Sequence, residues 1–405
     1  MLFILSGHLE VGVAVDGVDE RGRLREVTAV FLKLGTIAFG GPAAHIAMMR
    51  DEVVNRRGWV TEGYFLDLLG ASNIIPGPNS TEMTIHLGYQ RAGRQGLVVA
   101  GVAFILPAFL IVLAIAALYV RYGTLPEAQW LLYGIKPAIL AVVVQALWKL
   151  GKTAVRGPLT AAVGIAALAA YFLRVNELLI LAVGALALLV ARSIAAGRAA
   201  MWLKGVAWAG PGAPSLWQAA VMLAQAAAPP TPADLFWTFL RIGSVLYGSG
   251  YVLLAFMYSD FVAKTGWLTQ QQLLDAIAVG QFTPGPVFTT ATFVGYIMAG
   301  WQGAVAATVG IFLPAFFFVW LTHPYVARVR SSTWAAPLLD GVNVASLALM
   351  AGVTWRLGQA AVIDWFTIII AAVATVALLR YRVNSAWLVL GGGLAGLAYR
   401  YVMGG

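Results

Sequence analysis

The feature that most limits what this chain can fold into is that it repeats. Residues 73–84 read NIIPGPNSTEMT, and 208 positions further on residues 281–292 read QFTPGPVFTTAT. The same offset aligns FLKLG (31–35) with FLRIG (239–243), Gly40 with Gly248, GWVT (58–61) with GWLT (266–269) and Asp67 with Asp275. One residue drops out before Gly88/Gly295, and an offset of 207 then lays LPAF (106–109) on LPAF (313–316) and Trp148 on Trp355. The offset returns to 208 at RVN (174–176) and RVN (382–384). Self-similarity sustained over this length means two copies of one structural unit. The expected organisation is a tail (1–26), a first repeat (27–194), a linker (195–235) and a second repeat (236–401).

What each copy is made of follows from hydropathy. The chain is 60% hydrophobic and only 11% charged, with a mean hydropathy of +0.83, whereas soluble proteins carry roughly a quarter charged residues. Runs such as 97–120 and 359–379 exceed the roughly 18–20 apolar residues that cross a bilayer. The N-terminus, MLFILSGHLEVG, has no basic flank and only a short apolar run, so it reads as a tail rather than a cleaved leader. With no cysteine in the chain, disulfides, thiolate metal sites and a cysteine nucleophile are excluded. The net charge of +9 carries little functional meaning by itself, because membrane proteins load their cytoplasmic loops with Lys and Arg.

Each copy offers about six hydrophobic elements, and basic residues orient them. In the first copy they cluster at Arg91/Arg94, at Lys149/Lys152/Arg156 and at Arg192/Arg198/Lys204. In the second, the loop equivalent to 91–94 is uncharged, while Arg328/Arg330 and Arg380/Arg382 mark the alternate loops. The loops facing inside in one copy therefore face outside in the other. Inversion requires an odd number of crossings between equivalent points, so the linker is expected to cross once, within the charge-free stretch 205–233. The expected fold is an all-α polytopic membrane protein of two inverted-topology repeats. About thirteen crossings result if both elements before residue 97 span, and the count falls if they re-enter. Inverted repeats point to alternating access around a site at their interface.

The candidate site sits at the breaks. Pro76 and Pro78 lack backbone N–H groups and Gly77 permits a turn most residues resist; Pro284, Gly285 and Pro286 repeat the device. A helix restarting at Pro78 presents the N–H groups and side chains of Asn79, Ser80 and Thr81 at membrane depth, with Thr289 and Thr290 in the second copy. A half-helix N-terminus is a seat for an oxyanion, and unpaired backbone persists in lipid only where something satisfies it. The competing reading is a proline kink tied off by neighbouring hydroxyls. A second break, FGGPAAH (39–45) against YGSGYVL (247–253), offers Gly40, Gly41 and Gly248 either as opened backbone or as close helix packing. Lys33 and Arg241 occupy equivalent intramembrane positions, as anion ligands or as snorkelling cations. Glu82, one turn past Pro78, has His86 on the same face and no acidic counterpart in the second copy; with Asp67 these are the proton-coupling candidates. Glu52/Asp260 and Asp67/Asp275 also recur, near the GW-x-T turns, where capping or pairing is the plainer role.

The run NIIPGPNSTEMTIHLGYQRAGRQGLVVAGVAFILPAF, preceded by FGGPAAHIAMMRDEVV and RRGWVTEGYFLDLL, resembles the chromate ion transporter family in its long, two-domain form. Residues 239–322 resemble its second domain. The resemblance implies efflux of chromate, a tetrahedral dianion like sulfate, across the bacterial inner membrane, driven by the proton motive force and giving chromate resistance. Two departures in the second copy, Gly248-Ser249-Gly250 for Gly-Gly-Pro and Val287-Phe288 for Asn79-Ser80, leave open whether both copies bind substrate alike. The alternatives are a passive anion channel or a permease for sulfate or another oxyanion. No metal, cofactor or nucleic acid is expected, the lipid bilayer is the surrounding partner, and a homodimer is compatible with such a chain. An enzyme is not expected, since no H-E-x-x-H spacing or nucleophile–base set is present.

Overall fold

The computed structural model describes residues 19–39, 41–195, 229–247, 250–325, 335–381 and 383–403, and among them there is helix but no strand. The linker and its expected crossing at 205–233 fall almost wholly outside these residues, as do Gly40 and Gly248. The first copy comprises α1 (Glu20–Ile37), α2 (Pro42–Arg50), α3 (Glu62–Ser72), α4 (Asn79–Tyr122), α5 (Pro126–Ala154), α6 (Pro158–Phe172) and α7 (Glu177–Ala195). The second comprises α8 (Pro232–Val245), α9 (Leu253–Met257), α10 (Gln270–Phe282), α11 (Thr290–Thr322), α12 (Ala335–Ala361), α13 (Trp365–Arg380) and α14 (Ser385–Met403).

Equivalent residues build equivalent local structure. Thr61 caps α3 by accepting from the Tyr64 N–H, and Thr269 caps α10 by accepting from the Gln272 N–H. Both copies carry a π-helical turn, Asp51–Arg56 and Tyr258–Lys264, followed by a glycine with φ of 62° or 64°. Both α4 and α11 are two arms joined at a sharp break, with φ/ψ of −141°/28° and 60°/−149° at Ala92-Gly93 and −142°/28° and 62°/−155° at Ala299-Gly300. The arms fold back on each other, so tightly that a Cβ on Gly88 would sit 2.3 Å from the Gly96 carbonyl oxygen; Gly295 meets Gly303 at the same 2.3 Å.

That contact gives a stability prediction. Gly88→Leu and Gly295→Leu must push two backbones apart, a form of overpacking that costs about 1–3 kcal/mol or more. Gly70→Ala, with open space around the added carbon, is its control. Thermal scans of detergent-purified protein should show the two leucine variants melting well below wild type or failing to accumulate, with the control unchanged.

The elements before residue 97 are hairpins rather than straight rods. Tyr64 at the start of α3 donates to Gln90 at the end of the first α4 arm (3.1 Å). Glu26 near the start of α1 pairs with Arg91 at 2.7 Å, and the Arg91 guanidinium lies 5.4 Å over the Trp59 ring. The bases of both hairpins thus meet at one end, and their breaks lie at the other.

The two copies are interlocked. α1 packs along α4 and α8 along α11, while α4 and α11 pack on each other. Gly101 near the start of the second α4 arm touches Phe316 near the end of α11, and Leu97 clusters with Val319, so these helices run antiparallel. Further out, α5 packs against α13 and α14, and α12 against α6 and α7. Each copy thereby supplies neighbours for one peripheral helix of the other, α5 or α12. Among the described residues five helical segments are long and apolar enough to cross a membrane: Asn79–Tyr122, Pro126–Ala154, Glu177–Ile194, Val287–Thr322 and Ala336–Ala361. Pro158–Phe172 and Trp365–Arg380 are shorter and equally apolar. Outward side chains such as Ile165, Val183, Ile369 and Val373 are exposed, as a lipid-facing perimeter requires.

Candidate functional site

The Pro-Gly-Pro breaks are where the copies exchange backbone hydrogen bonds. The Gly77 N–H donates to the Leu246 carbonyl at the end of α8 (2.7 Å), and the Gly285 N–H donates to the Ala38 carbonyl at the end of α1 (2.9 Å). These glycines have φ of 140° and 89°, a conformation that side-chain-bearing residues rarely adopt. A Cβ on Gly285 would also meet the Ala108 methyl at 2.7 Å, and one on Gly77 would lie 3.6 Å from Ala315. The repeated LPAF sequence is therefore the surface on which the other copy's break rests.

At the first break Pro78 is the N-cap of α4, with extended φ/ψ of −81° and 99°. The N–H groups of Thr81 and Glu82 both return to the Pro78 carbonyl, at 2.7 and 3.0 Å. Asn79 and Ser80 are left as the first-turn donors, and their residues line a cavity of about 280 Å³. Pro42 and Ala43 bring the start of α2 to the same cavity, where Gly41 (φ 78°) is an N-cap without a side-chain hydrogen bond. Two helix N-termini from one copy thus converge, and each favours negative charge. Across from them α5 contributes Gln145 and Lys149, and the second copy closes the wall with Gly250, Val287 and Phe288. A larger groove of about 650 Å³ between α4, α5, α10 and α14 is lined almost entirely by apolar side chains, and no set of polar groups converges there.

The second break is built differently. Val287–Thr289 is a 3-10 turn, the Thr289 hydroxyl donates to the Pro286 carbonyl (2.8 Å), and the Thr290 hydroxyl donates to the Val287 carbonyl (2.7 Å). Both threonines are fully buried with their hydroxyls engaged by their own chain, so this break presents apolar surface to the cavity.

Lys33 and Arg241 are held by carboxylates of their own copies. Lys33 Nζ lies 3.3 Å from Glu52 and Arg241 Nη2 lies 2.7 Å from Asp260, and both basic side chains are about half exposed. Neither lines the cavity. Asp67 is half-buried, while its equivalent Asp275 is buried against Lys136 Nζ (3.3 Å) and the Tyr119 hydroxyl (2.8 Å) from the first copy. Thr81 and Glu82 are completely buried behind the cavity wall, and among the described residues neither Thr81 Oγ1 nor either Glu82 carboxylate oxygen has a hydrogen-bond partner. Glu82 lies directly against Gly77. One turn along, His86 Nδ1 meets His323 Nδ1 of the second copy at 2.8 Å, and the Tyr89 ring lies 4.2 Å from the His323 ring.

Sequence reasoning missed Lys149, Gln145 and His323. Lys149 carried a usable signal, since the 207 offset pairs it with Arg356, but its position near a helix end made it look like an ordinary cytoplasmic charge. Nothing local marks His323, because its partner lies 237 residues away.

The chromate transporter family matches residues 25–189 and again residues 233–397. The chain belongs to the chromate transporter family. A chromate transport protein of Cupriavidus metallidurans is 31% identical over 392 residues, covering 92% of each chain. A chromate transport protein of Pseudomonas aeruginosa is 33% identical over 397 residues, covering 92% of this chain and 91% of that one. A probable chromate transport protein of Synechococcus elongatus is 31% identical over 361 residues. No solved structure matches the chain. In this member of the transporter family, the first match carries the converging helix starts, Lys149 and Glu82, and the second carries Phe288 and His323.

Proposed function

We propose that this transporter exports chromate across the bacterial inner membrane by alternating access, coupled to proton entry, and so confers chromate resistance, with sulfate as a competing substrate. The observation that carries this reading is the 280 Å³ cavity, where two helix N-termini, the Asn79 amide, the Ser80 hydroxyl and Lys149 converge. Those groups are donors or a cation, the complement of a tetrahedral dianion. Thr81, Thr289 and Thr290 stay in the proposal as flanking groups, Thr81 with its unengaged hydroxyl and the other two with hydroxyls released from their own carbonyls when the breaks rearrange, with Gly40, Gly41 and Gly248 allowing that movement. Glu82 is the proposed coupling acid, with His86 beside it and Asp67 as the reserve candidate.

The repeats are proposed to lie inverted in the membrane, in keeping with the antiparallel α4–α11 contact and the swapped basic loops. With each pair of early elements re-entrant, four spans per copy and one in the linker preserve the required odd parity. The chain has no cysteine, so single cysteines at Ala92 and Ala299 report side cleanly. They should label from opposite faces of the membrane, and labelling from one face would contradict inversion.

Lys33 and Arg241 are proposed to attract the anion from outside the cavity, each exchanging its carboxylate partner for the passing substrate. Losing one charge-assisted contact costs roughly 1.5–3 kcal/mol, so Lys33→Gln and Arg241→Gln should raise the half-saturating chromate concentration about tenfold. Unchanged half-saturation in well-expressed variants would assign both to simple pairing with Glu52 and Asp260. A passive anion pore fits the same cavity chemistry, and export against a gradient separates the two.

A further inference from the structure

Behind the 280 Å³ cavity lies a second one of about 390 Å³, lined by Asn73, Leu150, Arg156, Asp340, Asn343 and Ser346 among others. The two share Leu150 as a common wall. Asn79 of the inner cavity donates to Asn73 of the second one at 2.6 Å. One layer of side chains therefore separates them. Arg156 belongs to the basic set that the loop-charge pattern assigns to the cytoplasmic side, so the second cavity lies on the route from that side to the helix breaks.

Its charges have an unusual arrangement. Asp340, on α12 of the second copy, is the one acid among the described lining residues. Its Oδ1 lies 3.4 Å from Arg156 Nη1 and its Oδ2 lies 2.8 Å from Arg192 Nη1, both from the first copy. Two guanidinium groups thus share one carboxylate, which leaves one positive charge over among the described residues. Deeper in, Ser346 is 1% exposed and its hydroxyl has no hydrogen-bond partner among the described residues, although it lines the cavity. A buried hydroxyl left unpaired is unfavourable, and such groups call for a ligand that supplies the missing acceptor. The Asn343 amide adds donor and acceptor capacity beside it.

We propose that Arg156, Arg192 and Ser346 form an entry subsite for the transported oxyanion, with the Asp340 carboxylate occupying the arginines until the anion replaces it. A tetrahedral dianion offers four oxygens, enough for bidentate contact with the guanidinium groups, and Ser346, about 9 Å further along α12, is the next donor on its way in. Once loaded, it faces the Asn73–Asn79 pair, the remaining polar step to the inner cavity. Because Asp340 ties the second copy to the first, anion entry also unlinks the copies at this point. This inference rests on the reading of the inner cavity as an oxyanion site.

The test is equilibrium dialysis of labelled chromate against the purified full-length protein, followed by transport in vesicles. Asp340→Asn removes the competitor and should tighten the weaker class of binding about tenfold. Arg192→Gln and Ser346→Ala should weaken that class by a similar factor and leave the tighter class unchanged, with Arg192→Lys restoring part of the loss. Ser346→Ala removes only an unpaired hydroxyl, so it guards against misfolding of the charge variants. Weaker or unaltered binding in Asp340→Asn, or wild-type binding in both Arg192→Gln and Ser346→Ala, would make the three-residue contact a structural clasp only. If Lys149→Gln also binds like wild type, the inner-cavity reading itself is lost.

Discussion

Glu82→Gln is expected to abolish export against a chromate gradient while leaving chromate binding close to that of the wild type. The carboxylate has no exposure and no partner on either oxygen among the described residues, and it packs on the Gly77 turn that joins the two copies. An isolated charge in such a place is strongly unfavourable. On the proposed mechanism, a conformational change that opens the Gly77 turn is tied to whether Glu82 carries a proton. Glutamine keeps the shape and removes the titration, so it should leave a carrier that exchanges chromate downhill but ignores a pH gradient. Efflux in proteoliposomes with and without an imposed gradient checks this. Normal proton-driven export by the variant would move coupling to Asp67 or to the His86–His323 pair.

The second large effect is expected in the cavity itself. Lys149→Gln and Asn79→Leu each remove a group lining the cavity proposed for the anion, and a hydrogen bond involving a charged partner contributes roughly 1.5–3 kcal/mol, so each should raise the chromate dissociation constant about tenfold or more. Lys149→Arg should keep most of the affinity, because the charge is retained and the cavity admits other shapes of cation. Val287→Asn, which copies the first break onto the second, should not repair the loss, since the second break begins with a 3-10 turn and points its hydroxyls at its own carbonyls. Equal dissociation constants for the wild type, Lys149→Gln and Asn79→Leu would remove the anion from this cavity.

Much of this arrangement is legible in the sequence. Pro-Gly-Pro at a fixed offset carries its own backbone chemistry, and the two turns appear where the prolines and glycine require them. The pairing of Lys33 with Glu52 and Arg241 with Asp260 was half visible, because all four recur at the offset. Which acid meets which base depends on the chain reversing between α1 and α2, and hydropathy does not encode that reversal. The early elements look like spans because their apolar stretches are contiguous, yet Gly88 and Gly96 bring two arms together as a hairpin. The asymmetry of the breaks was visible as Asn79-Ser80 against Val287-Phe288, but the inward turn of the Thr289 and Thr290 hydroxyls was not. A hydroxyl in a first helical turn can bond forward to a ligand or back to a carbonyl, and only local backbone geometry decides. Contacts between copies, such as Asp275 with Lys136 or His86 with His323, depend on interlocking that no stretch of sequence displays.

The decisive measurement is the uptake of labelled chromate into inverted membrane vesicles containing the wild-type chain, with and without an imposed proton gradient. A proton-coupled exporter accumulates chromate inside such vesicles above its external concentration, stops when an uncoupler collapses the gradient, and loses accumulation in Glu82→Gln. Chromate that only equilibrates across the membrane, with or without the gradient and equally in the variant, would contradict coupled export and identify a passive anion pore.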